Sequence, residues 1–580
     1  MRLEDYWGVG PKTSERLRQT LGTEAALEAI ESADIRALAD AGVSRGRATR
    51  ILRRANGDAG MATLGTSDAR SVYDELLSLA GEYAVTDHAA DRIRVLTPLT
   101  DRAAVESRLD EVLDATAAWK ELDEDDRETV LDAFARYDER GGTERAAVEA
   151  ALALREAGLS GGAFAALDDV DPDALREAAG ALGYVEDGRV VDGADDELDR
   201  LRAKHEEAET LSNSAFDVLD TVRDSGVRSL DDFENGVAEY VARETELTRG
   251  EVRSAAADDP VDAADFVSTT LRALAADLDE RVERREATVR ADLAEAVETA
   301  RGDVDAAVAA VDDIAFSLSL ARFAVAHDLR RPTLVDDGLA VVDARNLLLE
   351  GEVQPVTYGV GEHGVRGVAN APPSGDRVSV LTGANSGGKT TLLETLCQVT
   401  LLTAMGLPVP ASSAEVGRFD TVVFHRRHAS FNAGVLESTL KSIVPPLTDE
   451  GRALMLVDEF EAITEPGRAA DLLNGLVQLT VDRGALGVYV THLADELSPL
   501  PSEARIDGIF AEGLTQELAL RVDYQPRFGT VGKSTPEFIV SRLVANAGDR
   551  SVRRGFEALA AAVGEEAVQQ TLSDVGQSTD

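Results

Sequence analysis

Val378-Ser379-Val380-Leu381, followed by Thr382-Gly383-Ala384-Asn385-Ser386-Gly387-Gly388-Lys389-Thr390-Thr391, is the stretch that decides the fold. The first four residues read as a buried strand, and Thr391 to Leu402 reads as an apolar helix. A glycine-rich turn ending in Lys-Thr between a strand and a helix fits the P-loop pattern in both sequence and context. Glycines let backbone N–H groups wrap phosphates at a helix N-terminus, and a lysine adds a point charge to the β- and γ-phosphates. The spacing therefore predicts ATP binding by Gly383, Ala384, Asn385, Ser386, Gly387, Gly388, Lys389, Thr390 and Thr391, with Thr390 also ligating Mg²⁺.

Downstream, Ala453-Leu454-Met455-Leu456-Val457 is an apolar run ending in Asp458-Glu459, sixty-nine residues beyond Lys389. An acid at the carboxyl end of a neighbouring strand holds the metal, and a second acid beside it polarises the attacking water. Asp458 is assigned to the metal and Glu459 to the general base. Val488-Tyr489-Val490-Thr491-His492 repeats the strand-then-polar pattern and places His492 toward the γ-phosphate or the attacking water. Short β-like runs at Leu339 to Val342, Arg377 to Leu381, Thr421 to Phe424, Ala453 to Val457 and Gly487 to Thr491 alternate with helical stretches. That alternation predicts an α/β domain with a largely parallel sheet.

Upstream the pattern is different. From about residue 65 to 335 the chain reads as helix. Val267, Leu271, Leu274, Leu278, Val282, Val289, Leu293 and Val297 recur at steps that suit long helices packed side by side, with a break expected near Gly302. Residues 1 to about 58 hold two similar halves. Gly8-Val9-Gly10 is followed by Ser14 and Leu17, and Gly42-Val43-Ser44 by Ala48 and Ile51. Each half predicts helix, glycine turn and second helix, with the small residue allowing close helix approach. This resembles a tandem helix-hairpin-helix module, which grips DNA phosphates through backbone N–H groups at a helix N-terminus. Ser44 to Arg54 adds five arginines and no acid. Gly8, Gly10, Lys12, Gly42, Ser44, Arg45 and Arg47 are the expected DNA contacts.

The 580 residues exceed a single core, and 44% hydrophobic content suffices for ordinary packing. No signal segment or uncharged membrane-length run is found, so a soluble cytoplasmic protein with no membrane partner is expected. A lone cysteine, Cys397, rules out a disulfide framework and a cysteine zinc site. The net charge of −48 runs against the usual basic nucleic-acid binder. Only six lysines occur, and carboxylate excess with lysine depletion is how a surface stays hydrated in molar salt, which points to an extreme halophile. At such salt the Debye length is roughly 3 Å, so net charge says little about DNA and local motifs decide.

The three nucleotide motifs occur in the order shared by ABC-type ATPases. Their surroundings are narrower. Thr382 to Leu393 (TGANSGGKTTLL), Ala404 to Val416 (AMGLPVPASSAEV), the segment DDIAFSLSLARFAVAHDLRRPTL before the domain, and Leu96 to Leu122 are together similar to the MutS family. Thr464-Glu465-Pro466 resembles the Thr-Asp-Pro of its second subfamily, which lacks the mismatch-reading domain. The resemblance implies a homodimer in which each nucleotide site is completed by the partner, with Ser430 in His428-Ala429-Ser430-Phe431 as the contact. It also implies helices that hold DNA in response to ATP.

The expected architecture is thus multidomain. It comprises a tandem helix-hairpin-helix domain at 1–58, an all-α lever and clamp region at 59–335, an ABC-type P-loop ATPase at 336–548, and a C-terminal helix and polar tail at 549–580. The expected activity is ATP hydrolysis coupled to largely sequence-non-specific DNA binding, in DNA repair or recombination control. No nuclease activity is expected, because no small nuclease domain is recognised near the C-terminus. The alternatives are a chromosome-organising ABC-type ATPase and an ATP-binding DNA scaffold with little hydrolysis.

Overall fold

The structure, a computed structural model, describes residues 2–186, 188–224, 230–257, 260–351, 353–383, 388–426, 433–459, 468–497, 499–514, 520–532 and 536–563. Of the sequence-predicted site residues, Ala384, Asn385, Ser386, Gly387 and Ser430 lie outside them, as does Thr464-Glu465-Pro466. The chain is multidomain and mostly helical, with mixed α/β sheets, and divides into two compact units: residues 132–311, and residues 1–131 together with 312–580.

The 132–311 unit is built on one long helix, Ala263–Thr299. At about 1.5 Å per residue its 37 residues run roughly 55 Å. Asp262 caps it by accepting the Ala264 and Asp265 amides, 2.9 Å each. Val267, Leu271, Leu274 and Leu278 form a buried stripe against helices Ala215–Asp224 and Leu230–Glu244, while Val289 packs on Val190 and Leu198. Helix Asp196–Asn213 is tied to the long helix at its own N-cap, where Arg285 donates to both oxygens of Asp195 at 2.9 and 2.7 Å. A minimal hairpin of β1 (Val185–Glu186) and β2 (Arg189–Val190) precedes that cap. The helix break falls at buried Ala300, two residues before Gly302; the next helix is Arg301–Ala326.

The other unit contains two sheets. Their strands are β3 (Thr333–Val335), β4 (Leu339–Ala344), β5 (Val356–Val360), β6 (Val378–Gly383), β7 (Ser413–Gly417), β8 (Thr421–His425), β9 (Ala453–Val457), β10 (Leu486–Val490), β11 (Ala504–Leu514) and β12 (Leu520–Phe528). The larger sheet has the order β12-β11-β6-β10-β9-β8; the first pair is antiparallel and all the others are parallel. The smaller sheet, β3-β7-β4-β5, is mixed.

Central strands are apolar on both faces because helices cover both. Leu381, Phe424, Leu456, Val488 and Val490 pack on helix Lys389–Ala404. Alternate residues Val380, Val423, Met455, Val457 and Tyr489 pack on helices Ala433–Thr448 and Ala469–Asp482. Helix Ser67–Gly81 joins the first of these layers through Val72, Tyr73, Leu76 and Leu77. Residues before it run beside β8 as an added edge: the Val422 amide donates to the Thr63 carbonyl at 2.7 Å, and the Gly65 amide to the Val422 carbonyl at 3.0 Å. The boundaries at 58 and 335 read from the sequence therefore differ from those of the compact units. Apolar periodicity marks a helix's buried face without saying what covers it, and residues 59–131 and 312–335 group with the α/β domain.

At the N-terminus, helices Pro11–Thr20, Thr23–Glu31, Ile35–Asp40 and Arg45–Met61 enclose Leu17, Ile30, Leu38, Ala48 and Ile51. The first half opens on a three-residue 3₁₀ turn, Leu3–Asp5, rather than on a full helix. Among the described residues, no helix is long and apolar enough to cross a membrane.

Candidate nucleotide site and N-terminal module

Gly383 ends β6 at φ 131°, where a Cβ would lie 2.3 Å from the Ile509 carbonyl oxygen. Gly388 stands at the N-cap of helix Lys389–Ala404 in the left-handed region, φ 73°. Both backbones need glycine, one because β11 lies against it and the other because of its turn. Lys389 is buried and donates from Nζ to the Gly383 carbonyl at 2.9 Å. Its ammonium is thereby held over the start of the turn. Thr391, next in the helix, accepts on its carbonyl from Thr395 Oγ1 at 2.8 Å.

Thr390 Oγ1 donates to Asp458 Oδ2 at 2.6 Å. This hydroxyl and carboxylate come from residues 68 apart in sequence, brought together because β6 and β9 both flank β10. A hydroxyl and a carboxylate are hard oxygen donors of the kind Mg²⁺ takes, and Mg²⁺ completes its shell with water and phosphate. The pair fits that ion. Among the described residues, no group of three or more His, Cys, Asp or Glu offers an all-protein metal cage.

Glu459 follows at the same sheet end and is largely buried. Its φ of 42° puts a non-glycine residue in the left-handed region. Its amide donates to the Val490 carbonyl at 3.1 Å, and its Oε1 lies 3.0 Å from His492 Nε2. The two strand ends thus bring together the two residues assigned to the water.

A cavity of about 460 Å³ opens beside these groups, lined by Asn346, Val353, Gly388, Lys389, Glu459 and Tyr524. Sequence reasoning missed Tyr524. It lies on β12, which carries no motif, yet its ring crosses Gly388 so closely that a Cβ there would meet it at 2.7 Å. Asn346 was also missed. It accepts from Gln398 Nε2 at 2.8 Å and fixes the wall between β4 and the helix.

In the N-terminal module the two turns match: Gly8 has φ 80° and Gly42 φ 81°. Each packs on the other half, Gly8 against Ile51 and Gly42 against Arg16. Arg16 donates to the Gly42 carbonyl at 2.8 Å, and Arg47 to the Gly8 carbonyl at 2.9 Å. Gly8, Lys12, Gly42, Ser44, Arg45 and Arg47 are exposed and Gly10 is half-buried. Neither Gly10 nor Ser44 caps its helix with a side chain. Arg47 has a structural bond that the sequence did not indicate, and Arg45 lies 3.8 Å from buried Asp91.

No family model matches the chain. It is 44% identical over 220 residues to the DNA-binding protein MutS2 of Pyrococcus furiosus, covering 37% of this chain and 38% of that protein. It is 27% identical over 263 residues to the Endonuclease MutS2 of Pelotomaculum thermopropionicum, covering 44% and 32%. The mitochondrial DNA mismatch repair protein MSH1 of Arabidopsis thaliana is 35% identical over 122 residues, covering 20% and 11%. The chain thus spans less than half the length of each of these relatives. The second name corrects one expectation. Absence of nuclease activity was argued from one type of small domain near the C-terminus, whereas a relative matched over 263 residues is named an endonuclease. The missing domain type is no ground for excluding the activity. Over these stretches the chain is thus similar to proteins named for the MutS family.

Proposed function

We propose that this chain is a DNA-binding ATPase that hydrolyses ATP to ADP and phosphate with Mg²⁺. It acts as a homodimer in DNA repair or recombination control and holds DNA with little sequence preference. The observation that carries the reading is the 2.6 Å bond from Thr390 to Asp458 with the Glu459–His492 pair alongside, four side chains meeting at one end of a parallel sheet.

In this reading Lys389 exchanges the Gly383 carbonyl for β- and γ-phosphate oxygens, and residues 383–391 supply backbone N–H groups. Thr390 and Asp458 hold Mg²⁺, which neutralises phosphate charge when bound. Glu459 Oε accepts the proton of the attacking water, and His492 holds that carboxylate in register. Tyr524, beside Gly388, and Val353 add apolar surface to the cavity wall, against which a purine base would lie. Ser430 of each protomer completes the other's site. DNA is gripped by the two glycine turns, with Lys12, Arg45 and Arg47 beside them. The names of the Pyrococcus and Pelotomaculum relatives support the DNA arm of the proposal.

The test is phosphate release in molar KCl by wild type, Lys389→Ala and Glu459→Gln, with and without duplex DNA. Lys389→Ala should lose nucleotide affinity, while Glu459→Gln should keep affinity and lose turnover. Unchanged nucleotide affinity in Lys389→Ala would sink the site assignment, and equal rates for wild type and Glu459→Gln would sink the base.

A further inference from the structure

The chain has two tryptophans, and they are treated oppositely: Trp119 is 8% exposed, Trp7 55%. Trp7 lies between buried Tyr6 and the Gly8 turn, while the other large apolar side chains of the surrounding module, from Leu3 to Ile51, are in the core or, like Leu21 and Leu27, packed against it. An indole left largely in solvent forgoes the burial that its neighbours obtain, so its surface is available to something else.

Its surroundings say what. Helix Arg45–Met61 presents Arg47 and Arg54, seven residues apart and hence on one face, to the 7–8 segment. Arg47 holds the Gly8 carbonyl at 2.9 Å, and the Arg54 guanidinium lies over the Trp7 ring at 5.3 Å from its centroid. Arg50 lies between them on the same helix and is exposed. From Ala41 to Gly57 there are five arginines and no acid, in a chain of net charge −48; Arg54 itself pairs with Asp58. A guanidinium covers one face of the indole and leaves the rest of the ring to solvent beside an arginine row. That is the layout of a stacking platform next to a phosphate track. The π-face of a base is open to such a platform only when the base is out of the duplex stack.

We propose that Trp7 stacks on an unpaired nucleobase, so that the N-terminal module favours DNA carrying single-stranded nucleotides over blunt duplex. The inference rests on the reading of this module as a DNA-binding element and adds the DNA structure it selects. The glycine turns and arginines hold phosphates of either form, and only the unpaired form reaches the indole.

Full-length protein carrying Trp119→Phe leaves Trp7 as the sole tryptophan, and its fluorescence is titrated with an oligo-dT single strand and with a blunt duplex of equal length. Saturable quenching by the single strand, and little by the duplex, is expected. Trp7→Ala should weaken single-strand affinity roughly five- to a hundredfold, the range of one lost base-stacking contact, and leave duplex affinity within about twofold. Trp7→Phe should recover part of the loss, and a circular dichroism spectrum matching wild type keeps the comparison to folded protein. If Trp7→Ala changes neither affinity, or lowers both alike, the platform is refuted while the DNA-binding reading of the module stands. If neither DNA binds any variant, wild type included, both fall.

Discussion

Glu459 is the residue at which turnover should fall while stability stays nearly unchanged. A non-glycine residue in the left-handed region costs about 1–2 kcal/mol, and Glu459, at φ 42°, bears that cost. Replacing it by glycine removes the strain. It also removes the contact with His492 at 3.0 Å, a bond whose net contribution is about 0.5–1.5 kcal/mol. The two terms nearly cancel, so Glu459→Gly should unfold within about 1 kcal/mol of wild type, whereas a typical buried truncation costs several times that. Turnover should behave otherwise. A general base contributes roughly 10²–10⁴ in rate, about 3–5 kcal/mol of barrier, and both Glu459→Gly and Glu459→Gln should forfeit it. The assays are urea unfolding and steady-state phosphate release, in one molar-KCl buffer. Glu459→Gln separates the effects further, because it keeps the strained backbone and loses the base. Wild-type turnover in Glu459→Gln would refute the chemical half of the reasoning. A loss of more than about 2 kcal/mol in Glu459→Gly would refute the conformational half.

At Gly388, alanine must adopt φ 73° and push on the Tyr524 ring 2.7 Å away, so Gly388→Ala should raise KM for ATP about tenfold. Adding Tyr524→Leu should return part of that loss, and strict additivity of the two changes would show that the ring is not what the methyl group meets. Asp507 is fully buried, accepts from Arg505 Nε at 2.9 Å, Ser379 at 2.6 Å and Tyr358 at 2.9 Å, and leaves Arg505 buried without this carboxylate when removed. Asp507→Ala should therefore cost about 3–5 kcal/mol in urea unfolding; a loss below about 1 kcal/mol counts against the network. In the 132–311 unit, the hydrogen bonds from Arg285 hold the Asp195 carboxyl down at about 2. With a folded pKa below the unfolded value, its contribution is present above about pH 4 and fades as pH falls toward 2. Arg285→Gln should shift the acid transition of that unit, followed by circular dichroism, to higher pH, and an unmoved transition would dismiss the pair.

The sequence was most legible where a local pattern and a chemical requirement coincided. Strands β6, β8, β9 and β10 were largely apolar on both faces because both faces are covered, so their runs stood out, and the residues at their ends stood out with them. Thr390 and Asp458 were placed on one site without any geometry. Tyr524 was not, because β11 and β12 reach the site through register with β6 rather than through a motif of their own. The attachment of residues 63–68 to β8 was equally hidden. It rests on backbone hydrogen bonds and one threonine hydroxyl, which carry no periodic signal. Likewise Arg47 was read only as a DNA contact, while its bond to Gly8 depends on the second hairpin docking against the first.

That hidden attachment gives the proposed nucleotide site a structural neighbour. Thr66 caps helix Ser67–Gly81 and its hydroxyl donates to the Phe424 carbonyl at 2.6 Å. Asp68, in the first turn of the same helix, accepts the Arg426 amide at 2.8 Å. Between those two points lies His425, whose carbonyl accepts the amide of Asp458 at 2.9 Å. Arg426 also pairs with Glu394 on the helix that begins at Lys389. The start of helix Ser67–Gly81, the end of β8, the proposed metal ligand and the helix behind the glycine turn are therefore joined by consecutive hydrogen bonds and one ion pair. A displacement of this helix start has to be taken up within two residues of Asp458 or break a bond buried under the sheet edge. Buried bonds of that kind are costly to leave unmade.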